Sequence, residues 1–351
     1  MSGARAPTPH SPPALAGRPR WGNDTVSLPT HRRLLGALIA AALGLTACAG
    51  GTGPGTTAAA GATVEIADNH GTQTVPAAPA RVIATDNRLF ETLADWGVPL
   101  VAAPLDLLPA DNPYKSDETV ANLGSHNEPD LEAVVAAEPD LIINGQRFAQ
   151  YYEDLRTLAP EAAIVELDPR EGEPFDAELK RQVTALGQIF GHEADAQDLV
   201  DAFDAAVARV RAAYDPAQTV MAVITSGGEI NYAAPGTGRT LGPVFEILGL
   251  TPAITVEGSS DHQGDDISVE AIAASDPDWI LVMDRDAGVS ADTDAEYTPA
   301  NELLATSPAL ANVSAVREGR IVYMPRFTYV NEGIQTYTTF FDAVADVLEA
   351  S

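Results

Sequence analysis

Cysteine is nearly absent from this 351-residue chain, because Cys48 is the only one. A lone thiol cannot form an intrachain disulfide, and it cannot build a cysteine-ligated metal centre. Motifs of catalysis are lacking too, since the chain contains neither the G-x-S-x-G nucleophile elbow nor the H-E-x-x-H zinc motif. The six histidines are too scattered along the sequence to indicate a zinc or manganese cage. We therefore expect no enzymatic activity and no intrinsic cofactor.

Positive charge is also scarce. The chain has 20 basic and 50 acidic residues, which gives a net charge of −30, and only Lys115 and Lys180 are lysines. This acid excess excludes a general nucleic-acid-binding protein and disfavours attraction to anionic lipid. Solubility in a salty exterior is a sufficient explanation for it. Because lysine is so rare, any cationic site must be built from arginine, whose planar guanidinium suits bidentate anions.

The N-terminal region predicts export. The apolar segment at residues 34–45 is too short to span a bilayer, and it follows an arginine pair, as in a secretory signal. It leads into the sequence L-T-A-C, which ends at Cys48 and resembles a bacterial lipobox. We expect residues 1–47 to be a signal peptide and lipid on Cys48 to anchor the protein to the membrane. The alternative is a buried structural cysteine, and the Sec and twin-arginine routes both stay open.

Local patterns divide the remaining chain. Alternating strand and helix patterns predict α/β lobes, and the 3.6-residue period of apolar residues from Leu199 to Val210 predicts a helix that ends before Pro216. Within the first lobe, Asp86 is expected to cap a helix over residues 88–96. The predicted segments are a signal peptide (1–47), a lipidated flexible tether (48–62), an N-terminal α/β lobe (63–190), a connecting helix (191–215) and a C-terminal α/β lobe (216–351).

An internal repeat links the two predicted lobes. Residues 128–147 recur 138 positions later as residues 266–285, and seven of the twenty pairs are identical. Each copy runs from a helix through a proline into a short apolar segment, typical of a buried parallel strand, and stops at an arginine. These arginines are Arg147 and Arg285. Because ligands of open α/β sheets bind beyond the carboxyl ends of strands, the repeat predicts two lobes that each offer one cation to a shared ligand.

From residue 63 onward the chain resembles the solute-binding lipoproteins of bacterial ABC importers for ferric siderophores, a helix-linked class that also includes vitamin B12-binding proteins. The resemblance rests on the sequence A-P-A-R-V-I at residues 78–83, on the segment at residues 128–142, on its copy in the second lobe, and on the lipobox in front. It implies the class III periplasmic-binding-protein fold: two α/β lobes joined by one long helix, with a ligand cleft between them.

Within this class the chain looks most like binders of catecholate siderophores, in which three arginines surround the anionic ferric complex and a histidine and a tyrosine can bind the iron. The resemblance places these roles on Arg147, Arg239, Arg285, His262 and Tyr329. The loop around Tyr329 differs in length from the family pattern, so Tyr323 or Tyr297 remains an alternative. The sequence before Arg147 also departs from that pattern, so the direction of the Arg147 side chain stays open.

Each candidate has a simpler explanation. A surface salt bridge with a nearby acid such as Asp286 would explain Arg147 and Arg285 without a ligand. For His262 the simpler explanation is a solvated loop histidine held by a neighbouring aspartate. Arg88, at the predicted start of a helix beyond the first long strand, is a further candidate for the cleft.

Glu132 and Glu270 are repeat partners in the first turns of their helices, just after the good N-caps Asp130 and Ser268. A carboxylate at this position is stabilised by the helix dipole, which is an adequate structural explanation. The resemblance implies a second role, in which one glutamate per lobe docks on arginines of the membrane permease.

The resulting hypothesis is a monomeric lipoprotein on the extracellular face of the cell membrane that captures ferric iron as a siderophore complex and delivers it to an ABC permease. A cobalamin or haem carrier of the same fold is the alternative within binding proteins, but it would favour aromatic residues over arginine, and only 6% of the residues are aromatic. An exported enzyme that acts on a metal chelate is the alternative from another class. It would need a redox cofactor motif or a spare cysteine.

Overall fold

The computed structural model describes residues 61–351. The predicted signal peptide, Cys48 and nearly all of the tether lie outside the described residues. Among the helices of residues 61–351, none is long and apolar enough to cross a membrane.

The strands are β1 (Thr63–Asp68), β2 (Gly71–Pro76), β3 (Val82–Ala84), β4 (Leu100–Ala103), β5 (Ala121–Asn122), β6 (Gly124–Ser125), β7 (Glu128–Pro129), β8 (Leu141–Asn144), β9 (Ala163–Glu166), β10 (Thr219–Ser226), β11 (Glu229–Tyr232), β12 (Thr251–Pro252), β13 (Trp279–Asp284) and β14 (Ile321–Tyr323). The α-helices are α1 (Phe90–Asp95), α2 (Pro113–Ser116), α3 (Leu131–Ala136), α4 (Tyr152–Leu158), α5 (Phe175–Phe190), α6 (Glu193–Ala213), α7 (Val244–Leu248), α8 (Val269–Ser275), α9 (Arg285–Val289), α10 (Ala300–Thr306), α11 (Ser314–Glu318) and α12 (Ile334–Glu349). Short 3-10 helices cover Leu105–Leu107, Gln146–Tyr151 and Thr328–Val330.

Each lobe is built around one five-stranded sheet, and β1 with β2 and β6 with β7 form two further two-stranded antiparallel sheets. In the N-terminal lobe the order is β5-β4-β3-β8-β9 and all neighbours are parallel. In the C-terminal lobe the order is β11-β10-β13-β14, with β12 also beside β10, and only the β10–β11 pair is antiparallel. Successive residues of the central strands enter different apolar clusters, so both faces of each sheet are covered, as expected for parallel strands.

The connection between the lobes consists of α5 and α6. As predicted, the helical segment is divided at Gly191, which adopts the left-handed conformation with φ +72° and ends α5. Leu179 of α5 packs in the core of the C-terminal lobe, whereas Leu186 of the same helix packs in the core of the N-terminal lobe. Helix α5 thus contributes to both cores, and α6, within the predicted connecting segment, packs with the C-terminal lobe.

The repeat is preserved in three dimensions. The Asp130 carboxylate accepts a hydrogen bond from the Ala133 amide, and the Ser268 hydroxyl accepts one from the Ala271 amide, so both predicted N-caps are confirmed. The residues before the two prolines, Glu138 and Asp276, both have positive φ, at 43° and 41°. Each copy therefore leaves its helix through the same left-handed turn and enters a central strand of its sheet.

The cap predicted for the first helix is wrong. Helix α1 begins at Phe90 and its N-cap position is Leu89, which makes no side-chain hydrogen bond. Asp86 accepts a hydrogen bond from the Arg88 amide instead, in a turn that precedes the helix. The side chain of Asp86 is fully buried among other charged groups, which a helix cap on the surface would not be.

Candidate functional site

A cavity of about 670 Å³ lies between the lobes. This volume falls within the range of about 300 to 1,000 Å³ that is usual for small-molecule sites. Its wall contains every residue that the sequence assigned to ligand or iron contact, except Arg88. These residues are Arg147 from the N-terminal lobe and Arg239, His262, Arg285 and Tyr329 from the C-terminal lobe.

The Tyr329 ring is the point at which the three arginines meet. Tyr329 lies in the 3-10 helix Thr328–Val330 and is only 4% exposed. The guanidinium carbons of Arg147 and Arg239 both lie 5.0 Å from the ring centroid, and that of Arg285 lies 4.7 Å from it. All three distances are within the range of cation–π attraction, about 6 Å. One aromatic ring thus holds cations from both lobes close together despite their mutual repulsion.

Arg285 is the first residue of α9 and directly follows β13, so the end of the strand places it at the cavity. The Asp284 carboxylate caps this helix by accepting a hydrogen bond from the Ala287 amide. The Arg285 guanidinium donates to Asp286 at 2.9 Å. This is the salt bridge that the simpler explanation anticipated, yet Arg285 also lines the cavity.

Arg147 reaches the cavity from a more strained turn. It follows β8 through Gly145 and Gln146, and Gln146 has a φ of 53°. A Cβ atom on Gly145 would lie 2.7 Å from the Asp86 carboxylate, so only glycine fits there. Within residues 61–351, the Arg147 guanidinium forms no salt bridge with a carboxylate.

Arg239 is presented by the glycine-rich turn at residues 236–242. A Cβ atom on Gly238 would lie 2.4 Å from the Ala234 amide nitrogen, so the close approach of the two backbone segments requires glycine. The Arg239 guanidinium donates to the buried carboxylate of Glu332 at 3.0 Å and 3.3 Å. The turn therefore packs the backbone tightly behind Arg239.

Two histidines line the cavity, one from each lobe. The His262 side chain is 50% exposed, and its Nδ1 lies 3.9 Å from the Asp261 carboxylate, too far for a hydrogen bond. His126, which the sequence did not single out, is the second. Its Nδ1 atom is buried and has no hydrogen-bond partner in residues 61–351. Burial and the nearby Arg147 guanidinium both lower the pKa of His126, which favours a neutral imidazole.

Sequence reasoning also missed Lys115. It lines the cavity, and its ammonium group donates to the backbone carbonyls of Leu105 and Leu108 at 2.8 Å and 3.0 Å. The only signal in the sequence was that lysine is rare, since Lys115 is one of two lysines. This rarity does not indicate where the residue lies in the fold. The described residues of the cavity wall therefore include four basic side chains.

Arg88 does not line the cavity. Its side chain is 14% exposed and lies 3.1 Å from the Asp168 carboxylate, 3.7 Å from that of Asp86 and 3.8 Å from that of Glu332. Burial raises the pKa of Asp86 to about 7, although the Arg88 guanidinium opposes this shift. Arg88 thus pairs with buried carboxylates next to the site and is not part of the cavity wall.

The alternative tyrosines and the two glutamates also lie outside this cavity. The Tyr297 hydroxyl donates to Asp284 at 2.8 Å, and Tyr323 is 36% exposed. Glu132 and Glu270 are both exposed and are each the second residue of a helix. Across residues 61–351, no group of three or more His, Cys, Asp or Glu side chains is arranged to hold a metal ion.

Two curated proteins are similar to this chain over most of its length. The petrobactin-binding protein YclQ of Bacillus subtilis is 26% identical over 287 residues, which cover 80% of this chain and 86% of YclQ. The ferric-anguibactin-binding protein FatB of Vibrio anguillarum is 29% identical over 266 residues, which cover 74% of this chain and 79% of FatB.

A solved structure agrees with these matches. The periplasmic catecholate-siderophore binding protein VctP of Vibrio cholerae superimposes with a TM-score of 0.69 at 22% identity, over 83% of this chain and all of VctP. This likeness confirms the predicted fold class of two α/β lobes around a cleft. Residues 82–327 match the model of a family described as periplasmic binding protein. The chain belongs to the periplasmic binding protein family.

Proposed function

We propose that this protein binds a ferric siderophore of the catecholate class in the cavity between its lobes. The observation that carries the proposal is the convergence of Arg147, Arg239 and Arg285 on the Tyr329 ring. A ferric tris-catecholate is multiply anionic, and its oxygens accept charge-assisted hydrogen bonds from guanidinium groups. The cations come from both lobes, so one bound anion would be held by the two lobes together.

The similar proteins support this ligand class. The names of YclQ and FatB state that they bind petrobactin and ferric anguibactin, and VctP is described as a catecholate-siderophore binding protein. We extend this class of ligand to the present chain because its cavity is basic, although the whole protein is strongly acidic. No catalytic step is part of the proposal.

Direct contact with iron forms a further part of the proposal. A hexadentate siderophore fills all six positions of ferric iron, whereas a tetradentate bis-catecholate leaves two open. His262 lines the cavity with a half-exposed imidazole that is free of hydrogen bonds to side chains in residues 61–351. Tyr329 presents a phenol, and a tyrosinate oxygen suits the hard ferric ion, whose charge promotes loss of the phenol proton.

Delivery is proposed to occur through an ABC permease. Glu132 and Glu270 support this role, because each is exposed, each lies in the first turn of a repeat helix, and neither lines the cavity. A pair of equivalent carboxylates, one per lobe, matches a permease with two-fold symmetry. We also propose that the protein acts as a monomer, that residues 1–47 direct export, and that lipid on Cys48 holds the protein at the extracellular face of the cell membrane.

Fluorescence quenching titrations test the ligand class. The panel contains a ferric tris-catecholate, a ferric bis-catecholate, a neutral ferric hydroxamate, haem and cobalamin. We expect the anionic ferric catecholates to bind most tightly, and their affinity to fall as salt increases, because the attraction is electrostatic. Preferential binding of haem or cobalamin would instead assign the protein to the alternative carriers.

A further inference from the structure

Two of the cavity arginines lie next to strained residues. Gln146, with φ 53°, precedes Arg147, and Thr240, with φ 63°, follows Arg239. The left-handed conformation is uncommon for residues with a side chain and is a genuine outlier for a β-branched residue such as threonine. Such strain persists only where the surrounding structure enforces it. The directions of Arg147 and Arg239 therefore depend on whatever holds these two residues.

The side chains of both strained residues are bound to one carboxylate, that of Glu332, and the backbone amide of Gln146 also donates to Asp168 at 2.7 Å. The Gln146 side-chain amide donates to its Oε2 atom at 3.2 Å, and the Thr240 hydroxyl donates to its Oε1 atom. Arg239 itself donates to both oxygens. Gln146 belongs to the N-terminal lobe, whereas Glu332, Thr240 and Arg239 belong to the C-terminal lobe. One side chain thus connects the arginine-bearing turns of both lobes.

Glu332 is placed to act as a rigid anchor. It is 3% exposed and lies between the 3-10 helix that carries Tyr329 and the start of α12. Burial by itself raises the pKa of Glu332, but the guanidiniums of Arg239 and Arg88 outweigh burial, so the pKa is lowered. A buried carboxylate that stays ionised and accepts several hydrogen bonds has little freedom to move.

Arg285 provides an internal comparison. Its guanidinium is held by Asp286 at 2.9 Å and lies 3.4 Å from the Ser226 hydroxyl, and it makes no contact with Glu332 in the described residues. A change at Glu332 should therefore leave Arg285 in place.

We propose that Glu332 is a positioning residue of the binding site, which holds Arg239 directly and Arg147 through Gln146, so that one arginine of each lobe is fixed before the ligand arrives. The proposal rests on the function proposed above for the cavity. According to this proposal, Glu332 strengthens the binding of an anionic ligand even though its own charge is negative. A negative charge beside the cavity repels an anionic ligand, whereas a correctly positioned pair of arginines attracts it.

The decisive variant is Glu332→Gln, which keeps the size of the side chain and removes its charge. We expect it to weaken binding of a ferric tris-catecholate by about tenfold, because the arginines must then be ordered on binding. Asp106→Asn is the matched control, since Asp106 lines the cavity and has no salt bridge to any of the three arginines in the described residues. It should tighten binding. Tighter or unchanged binding by Glu332→Gln would overturn the proposal.

Double-mutant cycles separate positioning from general damage to the fold. Glu332→Gln combined with Gln146→Ala should lose less affinity than the sum of the single losses, because both variants break the same connection. Glu332→Gln combined with Arg285→Ala should be additive. If Glu332→Gln were coupled equally to Gln146→Ala and to Arg285→Ala, Glu332 would act on the whole lobe. That result would overturn the positioning role. Melting temperatures confirm that each variant is folded during the titration.

A measurement without ligand distinguishes this proposal from the proposed function. In ¹H–¹⁵N spectra of the arginine side chains, the Nε–H signal of Arg239 should shift or broaden in Glu332→Gln, while that of Arg285 stays unchanged. If the wild-type protein binds no ferric catecholate, the proposed function fails, and the spectra alone then decide the role of Glu332. An unchanged Arg239 signal would overturn that role, whether or not the ligand class is correct.

Discussion

The two repeat copies bring an arginine to the same cavity but hold it in different ways. Arg285 opens a capped helix and is paired with the neighbouring Asp286. Arg147 follows a glycine and the strained Gln146, and within residues 61–351 its guanidinium has no carboxylate partner. The copies share their caps, their turns before proline and their strands. They diverge at the strand ends, because β8 has four residues and β13 has six. The Arg147 turn then contacts Glu332 of the other lobe, whereas Asp286 beside Arg285 accepts from Gly227 of its own lobe.

This divergence indicates how a duplicated scaffold can form an asymmetric site. The caps in the shared part of the repeat are local, since each is formed by residues close in sequence. The part that differs depends on distant residues, such as Glu332 for the Arg147 turn and Gly227, whose amide donates to Asp286, for the other. The two arginines should therefore respond differently to the same substitution.

The largest effect is expected from removing the arginines. Arg147→Ala should weaken binding of a ferric tris-catecholate by about 1.5 to 3 kcal/mol, the scale of one hydrogen bond to a charged group. Arg285→Ala should cost more, roughly 3 kcal/mol or above, because it leaves the Asp286 carboxylate without a cationic partner beside an anionic ligand. Fluorescence titrations measure both losses.

A neutral ferric hydroxamate serves as the control ligand for these two variants and should be affected much less. Adding Asp286→Asn to Arg285→Ala should recover part of the lost affinity, because the unpaired charge is then absent. If both single variants bind the anionic complex like the wild type, the arginines do not form the site.

The two cavity histidines allow the lobes to be compared as sources of a ligand for ferric iron. His262→Ala should weaken binding of a tetradentate ferric bis-catecholate by about tenfold or more, since it removes one ligand from the two open positions, roughly 1.4 kcal/mol for each factor of ten. The same variant should have little effect on a hexadentate complex. His126→Ala is the matched variant for His262→Ala, because it removes the cavity histidine of the other lobe. Equal losses for both complexes in His262→Ala would exclude coordination by His262.

Substitutions of Glu132 and Glu270 test whether the repeat also has a role outside the cavity, in contact with the permease. Glu132→Ala and Glu270→Ala should leave siderophore affinity unchanged and slow uptake several-fold each, because each removes one charge pair with the permease. The double variant should be slower than either single one. Uptake of radiolabelled iron by cells measures this effect. Normal uptake by the double variant would leave the helix dipole as the sole reason for these carboxylates.

The smallest effects concern the turns before the prolines. Glu138→Gly should stabilise the protein by up to about 1 kcal/mol, because glycine adopts positive φ without steric cost and this gain exceeds its entropic penalty. Asp276→Gly should not be stabilising, since the Asp276 carboxylate accepts a hydrogen bond from the Ser314 amide at 2.7 Å. Thermal unfolding at neutral pH measures the difference. Stabilisation by both substitutions would mean that the Ser314 contact has no effect.

The pH dependence of Asp276 follows from the same contact. The Ser314 amide lowers the pKa of Asp276 below its ordinary value of 3.8. A depressed folded-state pKa means that the unfolded chain binds the proton more tightly, so this contribution to stability is present above pH 3.8 and is lost as the pH falls through the folded pKa. The difference in melting temperature between the wild type and Asp276→Asn should therefore shrink in acid. A difference that does not shrink as the pH is lowered below 3.8 would exclude this origin.

Features stabilised by neighbouring residues could be predicted from the sequence. The caps at Asp130 and Ser268 and the break at Gly191 each depend on a few consecutive residues. The two lobes and the strand-end arginines were predicted from alternating local patterns and from the repeat. The predicted start of the first helix was wrong, because tertiary contacts compete there with the local pattern. Asp86, expected to be a helix cap, is drawn into a buried acidic cluster by Arg88 instead.

The sequence by itself determined that a strongly acidic chain carries a duplicated α/β unit with an arginine after a strand in each copy, because periodicity, caps and prolines act over short distances. Only the tertiary structure decided which charges face the cavity. Lys115 and His126 enter the cavity, whereas Arg88 is withdrawn to Asp168 and Glu332, residues 80 and 244 positions away in the chain. Electrostatic pairing depends on distance in space, and the fold sets that distance.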